Sequence, residues 1–149
     1  SNKRFQYRWE AALLAFQVKF PDQEPVTYTE GTDRQKFMEW FNHEKPDALL
    51  CHGLLWTGFL EEEAGLLCGD DYGFATYAHE CLEMQRALLG NQRVADRLKN
   101  ASGMDQGSFN TGRIAVELLA RDIMLNLKGL NSDPRTTLVD AHWVDGDTL

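Results

Sequence analysis

"DALLCHGLLWTGFLEEEAG", residues 47–65, is the stretch on which the fold reading turns. "DALLC" is a short apolar run of strand length, bounded on one side by Pro46 and on the other by His52 and Gly53. "LLWTGFLEEEAG" then takes up helical spacing and closes on Gly65, a residue suited to a left-handed C-cap. A strand feeding a helix through a short turn is the first part of a βαβ unit. "YGFATYA", residues 72–78, supplies the next strand.

Working outward, the alternation continues in both directions. Upstream, residues 4–20 form a helix with Trp9, Ala12, Leu13, Phe16 and Phe20 on one stripe, ended by Pro21. "PVTYTE", residues 25–30, reads as a strand. "TDRQKFMEWFNHEKP", residues 32–46, reads as a helix that buries Phe37, Trp40 and Phe41, with Thr32 and Gln35 at capping-box spacing. Downstream, "GDD" (69–71) is a turn, and residues 82–99 are helical with a break at Gly90-Asn91. "SFNTGRIAVELLARDIMLNLKG" (108–129) carries the most regular helical pattern, and "RTTLVDAHWV" (135–144) is a strand or strand pair. The expected fold is therefore α/β, a three-layer parallel sheet with helices on both faces.

Composition narrows the class. The chain has 149 residues and is 43% apolar, enough for one domain with a real core. A net charge of -8 leaves no basic footprint for nucleic acid on this segment. Cys51, Cys68 and Cys81 are an odd number without framework spacing, which favours a reducing, cytoplasmic compartment. No apolar run approaches the ~20 residues of a membrane span, so no membrane partner is expected. "SNKRF" lacks a Met and reads as an internal boundary rather than a natural start. Phosphate-cradling loops and nucleophile elbows are absent from the sequence, so no cofactor is implied.

In parallel α/β sheets, ligands sit beyond the carboxyl ends of the strands. That rule picks out His52 and Gly53 after "DALLC", and His79, Glu80 and Cys81 after "YGFATYA". If the two strands are neighbours, Cys51, His52, His79 and Cys81 come near one another. Imidazole and thiolate are zinc ligands, but no two of them have the spacing that fixes a pair on one element. A Cys-His nucleophile pair lacks any identifiable oxyanion hole. The remaining readings are histidines that hydrogen-bond a polar small molecule and histidines that merely end strands. Trp56, one turn past His52, either stacks on a sugar face or packs in the core. "EEE" at 61–63 reads as a solvated helix face. No nucleophile, base and anion-stabilising set converges, so an enzyme is not expected.

The ordered set "RWEAALLAF", "KPDALLCHGLLWTGFL", "AGLLCGDDYGFATYA", "GMDQGSFNTGRIAVELL" and "PRTTLVDAHWV" resembles the C-terminal part of LacI/GalR-type transcriptional regulators. The likeness spans nearly the whole chain. It implies the C-terminal lobe of an effector-sensing domain with the type I fold of periplasmic sugar-binding proteins, as a single partial domain over residues 1–149. Most of an N-terminal lobe and a DNA-binding head would precede it. It further implies a homodimer, a small-molecule effector such as a sugar held between lobes, and operator DNA contacted only through the head. A sugar-binding protein of a transport system is the alternative with the same fold. By that resemblance Arg8 matches an effector-contacting arginine, Gln106 a polar position near the lobe crossing, and His52 an Asn, with Gly53 in place of the following Asp. Ala78 and His79 stand where an acidic pair follows the strand. Such losses of carboxylate mean that the effector itself does not carry over.

The resemblance also bears on the helix at 108–129. Its family counterpart, residues 111–127, crosses into the N-terminal lobe, so here its apolar face lacks cover. The expectation is that it pairs with a second copy, folds back on its own lobe, or is poorly ordered.

Overall fold

The computed structural model describes residues 3–23, 27, 33–127, 129 and 135–149, with side chains from Glu10 onward. Two units form, residues 1–46 and 47–149. In the first, α1 spans Lys3–Lys19 and α2 spans Arg34–Glu44. The capping of α2 differs from the expected Thr32–Gln35 box: Asp33 is the N-cap, its carboxylate accepting from Lys36 N at 3.2 Å. Aspartate is as good a cap as threonine, and one position closer it meets the same orphan amides. Phe37, Met38 and Phe41 are buried along α2, spaced to lie on one face. The expected strand at 25–30 lies outside the described residues but for Thr27, which is in neither helix nor strand.

The second unit holds a four-stranded sheet in the order β1-β2-β3-β4, where β1 is Ala48–Cys51, β2 Gly73–Thr76, β3 Ser102–Asp105 and β4 His142–Val144. β1 and β2 pair in parallel, with Cys51 opposite Thr76, and β2 and β3 pair in parallel, with Ala75 opposite Ser102. β4 runs antiparallel to β3, so the sheet is mixed rather than wholly parallel. Between the strands lie α3 (Leu55–Ala64), α4 (Leu82–Leu88), α5 (Gln92–Arg97) and α6 (Ser108–Met124). Gly65 closes α3 in the left-handed conformation at φ 69°, as its position predicts. The break at Gly90-Asn91 separates α4 from α5, where Asn91 caps α5 by accepting from Val94 N.

β3 escapes sequence reading because "SGMD" has no β-branched or aromatic residue. Its small residues are required by proximity: a Cβ at Gly103 would overlap the Thr76 carbonyl of β2. Within 135–144, only residues 142–144 form a strand. The following residues lock the sheet. Buried Thr148 donates from Oγ1 to Phe74 O at 2.7 Å and accepts from Ser102 N at 2.9 Å, and its carbonyl accepts from Phe74 N at 2.5 Å. Phe74, Leu54, Leu60 and Leu98 make the fully buried centre of this unit.

Glu61 departs from the solvated-face reading. Its side chain is 11% exposed, pairs with Arg93 at 3.4 Å and accepts from Asn91, tying α3 to α5. α6 is a continuous helix of 17 residues with none buried, so of the three expected outcomes the fold-back onto its own lobe is not seen. Phe109 is 88% exposed and Ile123 69%, with Val116 and Leu119 bare on the same stripe. No helix among the described residues is long and apolar enough to cross a membrane.

Candidate functional site at the strand ends

The register of β1 and β2 carries His52 and Tyr77 past the same end of the sheet. Two side chains pin the turn there: Thr76 Oγ1 and Gln85 Nε2 both donate to the His52 carbonyl, at 3.2 and 3.1 Å. Thr76 Oγ1 also accepts from Ala78 N at 3.1 Å, so one buried hydroxyl joins the two loops. With its backbone held, the exposed His52 ring stands edge-on to Tyr77 at 5.4 Å between centroids. Burial raises the Tyr77 phenol above its ordinary value, with the nearby Cys51 thiol adding to the effect.

Gln106 arrives from the end of β3. Its Nε2 donates to the Tyr77 carbonyl at 2.5 Å, and its backbone N–H donates to Glu80 Oε2 at 3.4 Å. Glu80 Oε1 accepts from Ser108 Oγ at 2.7 Å. Burial pushes the Glu80 carboxyl up, but the Ser108 hydroxyl and the backbone amides of Glu80 and Gln106 outweigh it, and the net shift is downward. The ends of β1, β2 and β3 thus present an imidazole, a phenol, a carboxamide and an ionised carboxylate in one neighbourhood. Such a set suits hydrogen bonding to a polar molecule.

Other expected site residues have different surroundings. His79 Nε2 stands 3.1 Å from the Ala101 carbonyl, so its ring is drawn toward the β3 side rather than to His52. Trp56 is half-buried, with its ring edge-on to Phe59 at 5.7 Å. Arg8 lies on α1 in the first unit, and its side chain is outside the described residues. Cys51 turns its Sγ to the Gly53 carbonyl at 3.2 Å, and burial pushes its thiol up to about 12. That is the reverse of the lowered pKa a nucleophilic cysteine needs. Among the described residues, no three histidine, cysteine or carboxylate side chains stand together as a metal site.

Tyr77 and Gln85 are the participants that sequence reasoning did not select, and Glu80 was marked only by its place after the strand, with no role. Tyr77 directly follows the end of β2, and the strand-end rule applied from Thr76 onward would have found it as it found Glu80. Gln85 gave no signal, because it reaches His52 from the interior of α4. No family model matches the chain, and no curated protein or solved structure matches it either.

Proposed function

We propose that this chain is the small-molecule-sensing part of a LacI/GalR-like transcriptional regulator, cytoplasmic and homodimeric, acting on DNA through a head outside this sequence. The gathering of His52, Tyr77, Gln106 and Glu80 at the carboxyl ends of three adjacent strands carries the reading. Parallel α/β sheets bind ligands at that edge. The bare apolar face of α6, which begins just after β3, supports it further, since the resemblance gives this helix a second lobe as its cover. The neutral Cys51 thiol opposes a nucleophilic enzyme. Imidazole and carboxamide groups favour an effector rich in hydroxyl or carbonyl oxygens, a sugar or related metabolite.

The test is to express the whole gene product and measure its binding to DNA flanking its own gene, with and without a panel of sugars and sugar acids. DNA affinity that shifts with one compound, and loses the shift in His52→Ala, supports the proposal. Ligand binding with no DNA binding would move the protein to the sugar-transport reading. DNA affinity indifferent to a compound that demonstrably binds would sink the sensor.

A further inference from the structure

α6 is held in an unusual way. None of its residues is buried, and its N-cap, Gly107, has no side chain to offer. Beyond its first turn only Ile114, Leu118 and Asp122 are even half-buried, so the polar contacts at its start are the strongest constraints on its direction. Gly107 is left-handed at φ 67°, a conformation that asks for glycine, and a Cβ there would press on the Asp140 carbonyl at 3.3 Å. Asp105 Oδ1 accepts from Gly107 N at 2.7 Å and stiffens the bend from the β3 side. Across it stands Glu80, in the single 3-10 turn His79–Cys81 that follows β2. One of its oxygens takes the Ser108 hydroxyl, the first residue of the helix, and the other takes the Gln106 amide just before it. Gln106 in turn donates to the Tyr77 carbonyl, closing a ring of contacts between the β2 loop and the α6 start.

We propose that Glu80 is a latch that fixes the direction in which α6 leaves the sheet, coupling that direction to the loop after β2. Two oxygens engaging residues on either side of Gly107 define an angle, where a single bond would define only a distance. A negative charge at the start of α6 also complements the helix dipole, which Gly107 leaves uncapped. Asp105 faces Glu80 from β3 as a like charge, and His142 Nε2 on β4 stands 3.8 Å from Asp105 Oδ2. Releasing Glu80 leaves the start of α6 held by Asp105 at Gly107 and by Gln106 on the Tyr77 carbonyl, neither of which engages the helix itself, with its apolar face free to swing as a body. Because the loop after β2 also carries Tyr77, whatever engages that loop acts on the helix through Glu80. This inference holds whatever the ligand is.

Residual dipolar couplings on the isotope-labelled full chain test it, since they report the direction of α6 against the sheet. In the parent chain, one alignment should fit both. In Glu80→Ala the couplings of residues 111–124 should shrink while those of β1, β2 and β3 stay, and Ser108→Ala should show a smaller loss. Acidifying the parent through the ionisation of Glu80, followed by its carboxyl carbon shift, should reproduce the Glu80→Ala pattern. Repeating the acidification in Asp105→Asn separates the two carboxylates. Couplings of α6 that match the parent in both Glu80→Ala and Ser108→Ala, with the sheet unchanged, would overturn the latch. Acid-induced shrinkage that persists in Glu80→Ala would assign the effect to another group and overturn it equally.

Discussion

β2 and α6 invert the usual link between apolar content and burial. β2 is "GFAT", with only one large apolar side chain, yet Phe74, Ala75 and Thr76 are all buried. α6 carries the most regular apolar stripe in the chain and buries none of it. The strand is covered because it lies between two partners and against a helical layer, all within its own unit. The helix lies bare because the described residues of its own unit leave that face uncovered. Apolar periodicity thus reports what a segment is adapted to meet, and only the surrounding chain decides whether it does.

Substitutions along these two segments sharpen or break the contrast. Phe74→Ala should cost the most, about 3–5 kcal/mol by urea unfolding, because a fully buried ring leaves a cavity. Gly103→Val comes next, at roughly 1–3 kcal/mol or more, since its Cβ meets the backbone of Thr76, which has no room to retreat. Thr148→Val keeps shape but strips the buried hydroxyl that joins Phe74 O to Ser102 N, and should cost about 1–3 kcal/mol.

A pH effect is smaller. The Cys51 thiol is raised from 9.0 to about 12 in the fold, so its burial favours the folded chain fully below 9.0 and progressively less as pH climbs toward 12. By about pH 10 roughly 1 kcal/mol should be lost, and Cys51→Ala should remove that part of the alkaline decline. Leu119→Gln on α6 should change stability least, within about 0.5 kcal/mol, while reducing self-association in sedimentation. A cost above about 2 kcal/mol there would mean that the α6 face is covered after all, and the comparison with β2 would fail.

The candidate site divides along the same line. His52 and Gln106 were legible because a rule about strand ends, or a resemblance, pointed to their positions. Tyr77 and Gln85 were not, and of Glu80 only the position was. Glu80 is one of four acidic or basic residues within a short polar loop and helix, and its role depends on Ser108, 28 residues later. Thr148 is a polar residue near the end of the sequence, and nothing local marks it as the clasp between β2 and β3. Glu61 sits first in a run of three glutamates, and only the approach of α5 makes it differ from its neighbours. β3 was invisible for the opposite reason: its glycine answers a steric demand from β2 instead of a local propensity.

By itself the sequence determined the alternation of helices and strands, the cap at Gly65, the break at Gly90-Asn91 and the strand ends where polar residues collect. These follow from interactions within about five residues, where hydrophobic period and turn chemistry act. Tertiary structure alone decided that β4 runs antiparallel, that Thr148 closes the sheet, that His79 turns to Ala101 and that Glu80 meets the start of α6. Each of those joins residues distant in sequence through hydrogen bonds whose partners exist only once the sheet has assembled, and no local pattern encodes the meeting.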